Sequence, residues 1–154
     1  MSMEICVLSD TKLCSISEWQ RAIDHEGFAL RLSQEGLFAE LDGFLPSMLQ
    51  DKQTGFECYH VDPQELIETY DNVQFGREWK YAIELLWGGD FGEMQAACMA
   101  AAAYARATSG IVFDPQAGQL LTASQAVQVV QDNERGLSQL LPERQESAIR
   151  DNNK

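Results

Sequence analysis

The chain has 154 residues, with 24 Asp and Glu against 11 Lys and Arg, giving a formal charge of −13. That length suits one domain, which buries roughly 68–70% of its unfolded surface and can hold a core without disulfides or metal. A hydrophobic share of 45% is too high for a disordered acidic chain, and no apolar run reaches the roughly 20 residues of a membrane helix. The few, scattered bases argue against binding DNA or RNA, where phosphates must be neutralised.

In chain order, Met3–Leu8 reads as a strand, closed by a turn at Ser9-Asp10-Thr11. Ser15 with Glu18 three residues on is a capping box. Ile16, Trp19, Ala22 and Ile23 then fall at helical spacing, and Gly27 ends that helix. Phe28, Leu30 and Leu32 alternate with Ala29 and Arg31 as a second strand, which makes a βαβ-like opening. Residues 33–53 are punctuated by Gly36, Gly43 and Pro46, and read as a short helix or ordered loop followed by a helical turn at Pro46-Ser47-Met48-Leu49.

Thr54–His60 reads as a strand. Asp62-Pro63-Gln64-Glu65 is a helix start, with Asp at the N-cap, Pro in the first turn and Glu at the third position. Trp79–Trp87 reads as a strand broken by Gly88-Gly89. Asp90 and Glu93 repeat the capping spacing and open the longest helix, to about Ala107. Its Ala-rich sequence predicts close packing on a sheet, as small side chains permit. After Ser109-Gly110, Ile111-Val112-Phe113 and Gln119-Leu120-Leu121 flank a turn and predict a hairpin. Thr122 with Gln125 starts a last helix, through about Asp132. The order predicts an α+β fold: a single domain over residues 1–132, with a mixed, largely antiparallel sheet and helices mainly on one face. Residues 133–154 are a polar tail, partly helical or disordered.

Cys6, Cys14, Cys58 and Cys98 are widely spaced, with no C-x-x-C, which suits core residues in a reducing compartment. Met1-Ser2-Met3-Glu4 shows no basic region leading into an apolar one, so the expected location is the cytoplasm. Cys58 and His60 share a strand face, but zinc needs three or four ligands, and no second pair stands at ligand spacing. Nucleotide, hydrolase and metalloprotease signatures are absent from the sequence. No catalytic residue, metal ligand or cofactor is therefore assigned. Gly88-Gly89-Asp90 fits a helix cap better than an anion site, because Asp90 would repel a phosphate.

Charge distribution is the most informative feature. From Glu35 to Asp71 nine acids face one base, Lys52, a net of −8. Phe38, Phe44, Phe56, Tyr59 and Tyr70 are interleaved with them. Acids beside aromatic anchors suit a surface that captures a basic protein, the charge steering encounter and the rings providing buried contacts. The candidate partner-binding residues are Glu40, Asp42, Glu57, Tyr59, Glu65 and Glu68. The plainer alternative makes the aromatics core and the acids a solvated face.

The runs Gly43-Phe44-Leu45-Pro46 with Thr54-Gly55-Phe56-Glu57, Trp87-Gly88-Gly89-Asp90, and Ala101-Ala102-Ala103-Tyr104-Ala105 with Thr108–Asp114 resemble a family of small uncharacterised bacterial proteins, over roughly residues 3–132. That family brings no catalytic residues to carry over. In size, acidity and α+β order the chain also resembles the immunity proteins of bacterial polymorphic and contact-dependent toxins. The second resemblance implies a cytoplasmic, non-enzymatic inhibitor of a basic toxin, such as a nuclease, acting by protein–protein contact. The alternative is a small enzyme or ligand-binding domain with a pocket near Phe56–His60 and Trp87–Asp90. A homodimer stays open, because nothing in the sequence fixes the oligomeric state.

Overall fold

A computed structural model describes residues 3–135. Strand β1 (Met3–Ser9) leads to helix α1 (Ile16–His25) and the short strand β2 (Leu30–Leu32). A 3-10 turn (Phe38–Glu40) precedes the hairpin of β3 (Asp42–Leu49) and β4 (Lys52–Val61). Helix α2 (Pro63–Thr69), strand β5 (Tyr81–Trp87) and the long helix α3 (Phe91–Thr108) follow. A second hairpin, β6 (Ile111–Asp114) and β7 (Gln119–Thr122), leads into helix α4, which begins at 123 and reaches 135, the last described residue. The expected boundary at 132 falls inside α4, and the rest of the tail, 136–154, lies outside the described residues.

Seven strands form one sheet in the order β2-β3-β4-β5-β1-β6-β7. The fold is α+β, and its sheet is antiparallel at every pairing rather than mixed. Four antiparallel steps separate β1 from β2, so the two run the same way with β5, β4 and β3 between them. The βαβ-like opening is a crossover between strands that never touch, and no parallel ladder results.

The caps form as the spacing predicts. Ser15 Oγ accepts from Glu18 N at 3.0 Å, while Glu18 Oε2 accepts from Cys14 N at 3.1 Å. Asp62 Oδ1 accepts from Gln64 N. Thr122 and Gln125 cap each other reciprocally at the start of α4.

The main core lies between one sheet face and α1, α3 and α4. Ala96, Ala97 and Ala100 through Ala103 are fully buried on α3, so its backbone approaches its neighbours closely. Trp19 of α1 fills the seam. Its Nε1 donates to Ala100 O at 2.9 Å, and its ring meets Phe38, Phe56 and Tyr104 edge-on, with centroids 5.6, 6.1 and 5.4 Å away. A smaller cluster under α2 and the following loop joins Leu66 and Phe75 to Cys6, Leu8, Ala82 and Phe113 on the opposite face.

Two local readings are corrected. Pro46-Ser47-Met48-Leu49 is strand, not a helical turn: Pro46 lies opposite Gly55, and its carbonyl accepts from Ser33 N at 2.9 Å just past the end of β2. A proline is tolerated there because β3 has no partner strand on its β2 side beyond that point, so the donor it lacks on that side serves no ladder. The strand expected from Trp79 begins instead at Tyr81; Trp79 lies under the Arg77 guanidinium, 4.0 Å from ring centre to Cζ.

Candidate functional site

Because side chains alternate along a strand, the register decides which residues share the face that α2 leaves open. One row across the sheet is Asp42, Tyr59, Glu84 and Cys6, paired neighbour to neighbour. The next row is Phe44, Glu57, Leu86 and Glu4. The β3 side extends the face with Pro46 and Met48, and Arg31 of β2 stands opposite Met48 as the base at its margin.

The apolar part of this surface is unusual for an exposed position: Phe44 is 60% exposed and Met48 36%. Phe44 lies over Gly55, where a Cβ would collide with its ring and with Leu45 O. Glycine is therefore what lets the ring lie flat along β4. Tyr59 is half-buried and donates to Glu57 Oε1 at 2.5 Å. That bond to the carboxylate, with burial and the neighbouring charges of Glu57, Asp42 and Glu84, pushes its hydroxyl pKa upward.

Where the open face meets α2, Glu4 and Glu84 bring their carboxyl groups together. Burial first, then the Glu4 charge and a hydrogen bond to Glu4, push the Glu84 pKa up to about 7. Tyr70 Oη donates to Glu4 Oε1 at 2.9 Å, and its own pKa rises to about 12, through burial and then the Glu4 contact. Cys6 is buried beside them, and burial pushes its thiol up. One ligand atom each from Glu4, Cys6 and Glu84 falls within 4.8 Å of the others, the one such grouping among the described residues. Chemically, the carboxyl pair can hold a shared proton or meet a cation. None of Glu4, Asp42, Glu57 and Glu84 is in an ion pair among the described residues.

Of the six candidate residues, Asp42, Glu57 and Tyr59 meet on this face. Glu40, on the 3-10 turn, lines a cleft of about 260 Å³ with Asp42, Phe44 and the exposed Leu37. Glu65 and Glu68 are exposed on α2, which covers the adjoining part of the same side. The aromatics divide. Phe38 and Phe56 are 3% and 1% exposed and belong to the core; Tyr70 is half-buried against Phe113, 4.9 Å between centroids. Only Phe44 and Tyr59 of the five stand on the acidic face.

The pocket expected near Phe56–His60 and Trp87–Asp90 does not converge. Phe56 and Trp87 are buried, and Glu57 and His60, three apart on β4, project from opposite faces. Asp90 Oδ2 caps α3 by accepting from Glu93 N, and Glu93 Oε1 accepts from Gly88 N. Sequence reasoning missed Glu4 and Glu84. Alternation on β1 does put Glu4 and Cys6 on one face, but only the β1–β5 register brings Glu84 beside them.

No protein-family model matches the chain, and no curated protein or solved structure matches it. Among the described residues, no helix is long and apolar enough to cross a membrane.

Proposed function

We propose that this chain is a binding protein that captures a basic protein partner on the open sheet face, in the manner of an immunity-type inhibitor that neutralises a basic toxin such as a nuclease. The observation that carries the reading is the juxtaposition of Asp42, Glu57, Glu84 and Glu4 with Phe44, Tyr59, Met48 and Leu86 on one uncovered face. Exposed antiparallel sheet gives a flat platform. Asp42, Glu57 and the proton-sharing Glu4–Glu84 pair lack ionic partners among the described residues, so a cationic surface gains contacts without displacing existing ion pairs. Phe44 and Tyr59 supply the rigid aromatic anchors that dominate such interfaces. The acids of α2, Glu65 and Glu68, extend the field at one side.

The experiment is co-purification with any basic protein found encoded next to this chain, followed by affinity measurement on wild type and on Phe44→Ala and Glu57→Lys. A complex weakened by both changes supports the reading. It fails if no complex forms, or if both variants bind as wild type does.

A further inference from the structure

On the helix-bearing side of the sheet, at the end where β1 and β4 finish and β5 begins, a cleft of about 320 Å³ opens beneath the loop entering α1. That volume is at the small end of ligand pockets, which run roughly 300–1,000 Å³. Its floor is apolar and aromatic, with Phe38, Tyr81 and Tyr104 among its walls. Its polar groups are Lys12, Lys80, His60 and the exposed Cys14.

Three observations on this cleft agree. First, it is lined by two lysines and no carboxylate, whereas each of the four other clefts described includes at least one acid: Glu93, Asp24, Glu40 with Asp42, and Asp24 with Asp51. In a chain of net charge −13 a cation-only cleft stands against the overall field. Second, neither lysine is in an ion pair among the described residues; Asp10, beside Lys80, is taken by Arg77. Third, Tyr104 as a residue is 1% exposed; its hydroxyl accepts from Leu13 N at 3.4 Å, while its own proton has no acceptor among the described residues. A buried donor of this kind is costly to leave unmatched. His60 Nε2 lies 2.8 Å from Phe38 O, which can only accept, so that nitrogen's proton is already donated to Phe38 and the cleft's own cations are the two lysines.

Donors and cations above an aromatic floor select one chemistry. We propose that this cleft binds a small organic anion, an aromatic or short acyl body carrying a carboxylate or phosphate, with the anionic group held by Lys12 and Lys80 and the body seated against the exposed ring of Tyr81. The inference is independent of the acidic docking face, which lies on the other side of the sheet.

Cys14 is a built-in reporter. It lines the cleft, whereas Cys6 and Cys58 are buried and burial holds the Cys98 thiol near 12. Alkylation of Cys14 by iodoacetate and by iodoacetamide is followed by peptide mass spectrometry, with glutathione as the free-thiol reference. The net charge alone makes the anionic reagent slower on this protein than on glutathione. A capturing cleft reverses this, raising the iodoacetate-to-iodoacetamide rate ratio about threefold or more above that of glutathione. Lys12→Ala/Lys80→Ala brings the ratio down to the reference or below. Phenyl phosphate and benzoate, added separately, protect Cys14 saturably, and the stronger protector identifies the anionic group. Independently, phenyl phosphate or benzoate shifts the Leu13 and His60 amide resonances to a plateau. The proposal is overturned if the wild-type ratio does not exceed that of glutathione, if the lysine variant leaves it unchanged, or if neither anion gives saturable protection and shifts.

Discussion

Glu4 on β1 and Glu84 on β5 stand diagonally across one antiparallel pairing, on the same face, with their carboxyl groups hydrogen-bonded to each other. Two ionised carboxylates cannot share that contact without repulsion, so near neutrality the pair keeps one proton. With the Glu84 pKa at about 7 in the folded protein, above its ordinary value, the native state binds this proton more tightly than the unfolded chain does. The stabilising contribution is therefore fully present below the unfolded value and is lost as pH rises through about 7. Glu84 is partly solvated, so the decline is discounted to about 1–2 kcal/mol. In the protein freed of divalent ions, Glu84→Gln keeps a hydrogen bond to Glu4 without the charge and should remove that part of the pH dependence. Urea denaturation of both proteins at pH 5 and pH 8 measures it; an identical loss of stability in the two contradicts the shared proton.

The docking face makes a kinetic prediction. Carboxylates on an open face act mainly by steering, so Asp42→Lys and Glu57→Lys should slow association with a basic partner about tenfold at low salt and have little effect at high salt. Phe44→Ala should act on dissociation, weakening the complex by about 1–2 kcal/mol with association unchanged. Asp132→Lys, exposed on α4 on the opposite side of the sheet, serves as the control. Stopped-flow association at two ionic strengths separates these effects, and equal slowing by Asp132→Lys would mean that net charge, not this face, is responsible.

Local chemistry made much of the fold legible. Ser15, Asp62, Asp90 and Thr122 each cap the helix their spacing implies, because a cap is settled within four residues. The Ala-rich α3 and the β6–β7 hairpin are legible for the same reason. What depends on distant partners was not. Pro46 reads as a breaker until β2 is known to stop short of it. Phe38 and Phe56 look like their exposed neighbour Phe44, yet they bury against Trp19, while Phe44 lies on the other face of the same sheet. The candidate site was legible in part: the even spacing of Glu57 and Tyr59 already places them together, but Glu84 is brought to Tyr59 only by pairing of β4 with β5.

The α1–α3 seam should be intolerant in both directions. Trp19→Phe removes the donor to Ala100 O and shrinks the ring that meets Phe38, Phe56 and Tyr104. A loss of about 2–3 kcal/mol is expected from the combined cavity and lost bond. Ala101→Leu should cost about 1–3 kcal/mol for the opposite reason, since Ala101 is fully buried in a seam that has no room for added methylenes. Chemical denaturation should show lower midpoints with unchanged slopes. Near-wild-type stability of Ala101→Leu would show that α3 is less closely packed than described.

The β3–β4 hairpin turns at Gln50 and Asp51, whose φ angles are 50° and 68° between the paired Leu49 and Lys52. Two left-handed residues in a two-residue loop match a type I′ turn, whose twist suits the flanking strands and which favours Asn followed by Gly. Gln50 and Asp51 therefore both hold a backbone conformation that side chains disfavour, at a position exposed to solvent. Gln50→Asn with Asp51→Gly should stabilise the protein by about 0.5–1 kcal/mol, because the gain in the turn exceeds the added freedom of glycine in the unfolded chain. Since this hairpin carries Asp42, Phe44, Glu57 and Tyr59, the double variant should bind a partner with wild-type affinity while melting about 1–4 °C higher. Calorimetry and a binding titration on the same sample test both halves. A lower melting temperature would show that the loop adopts another turn in solution and that the strand register carrying these four residues must be redrawn.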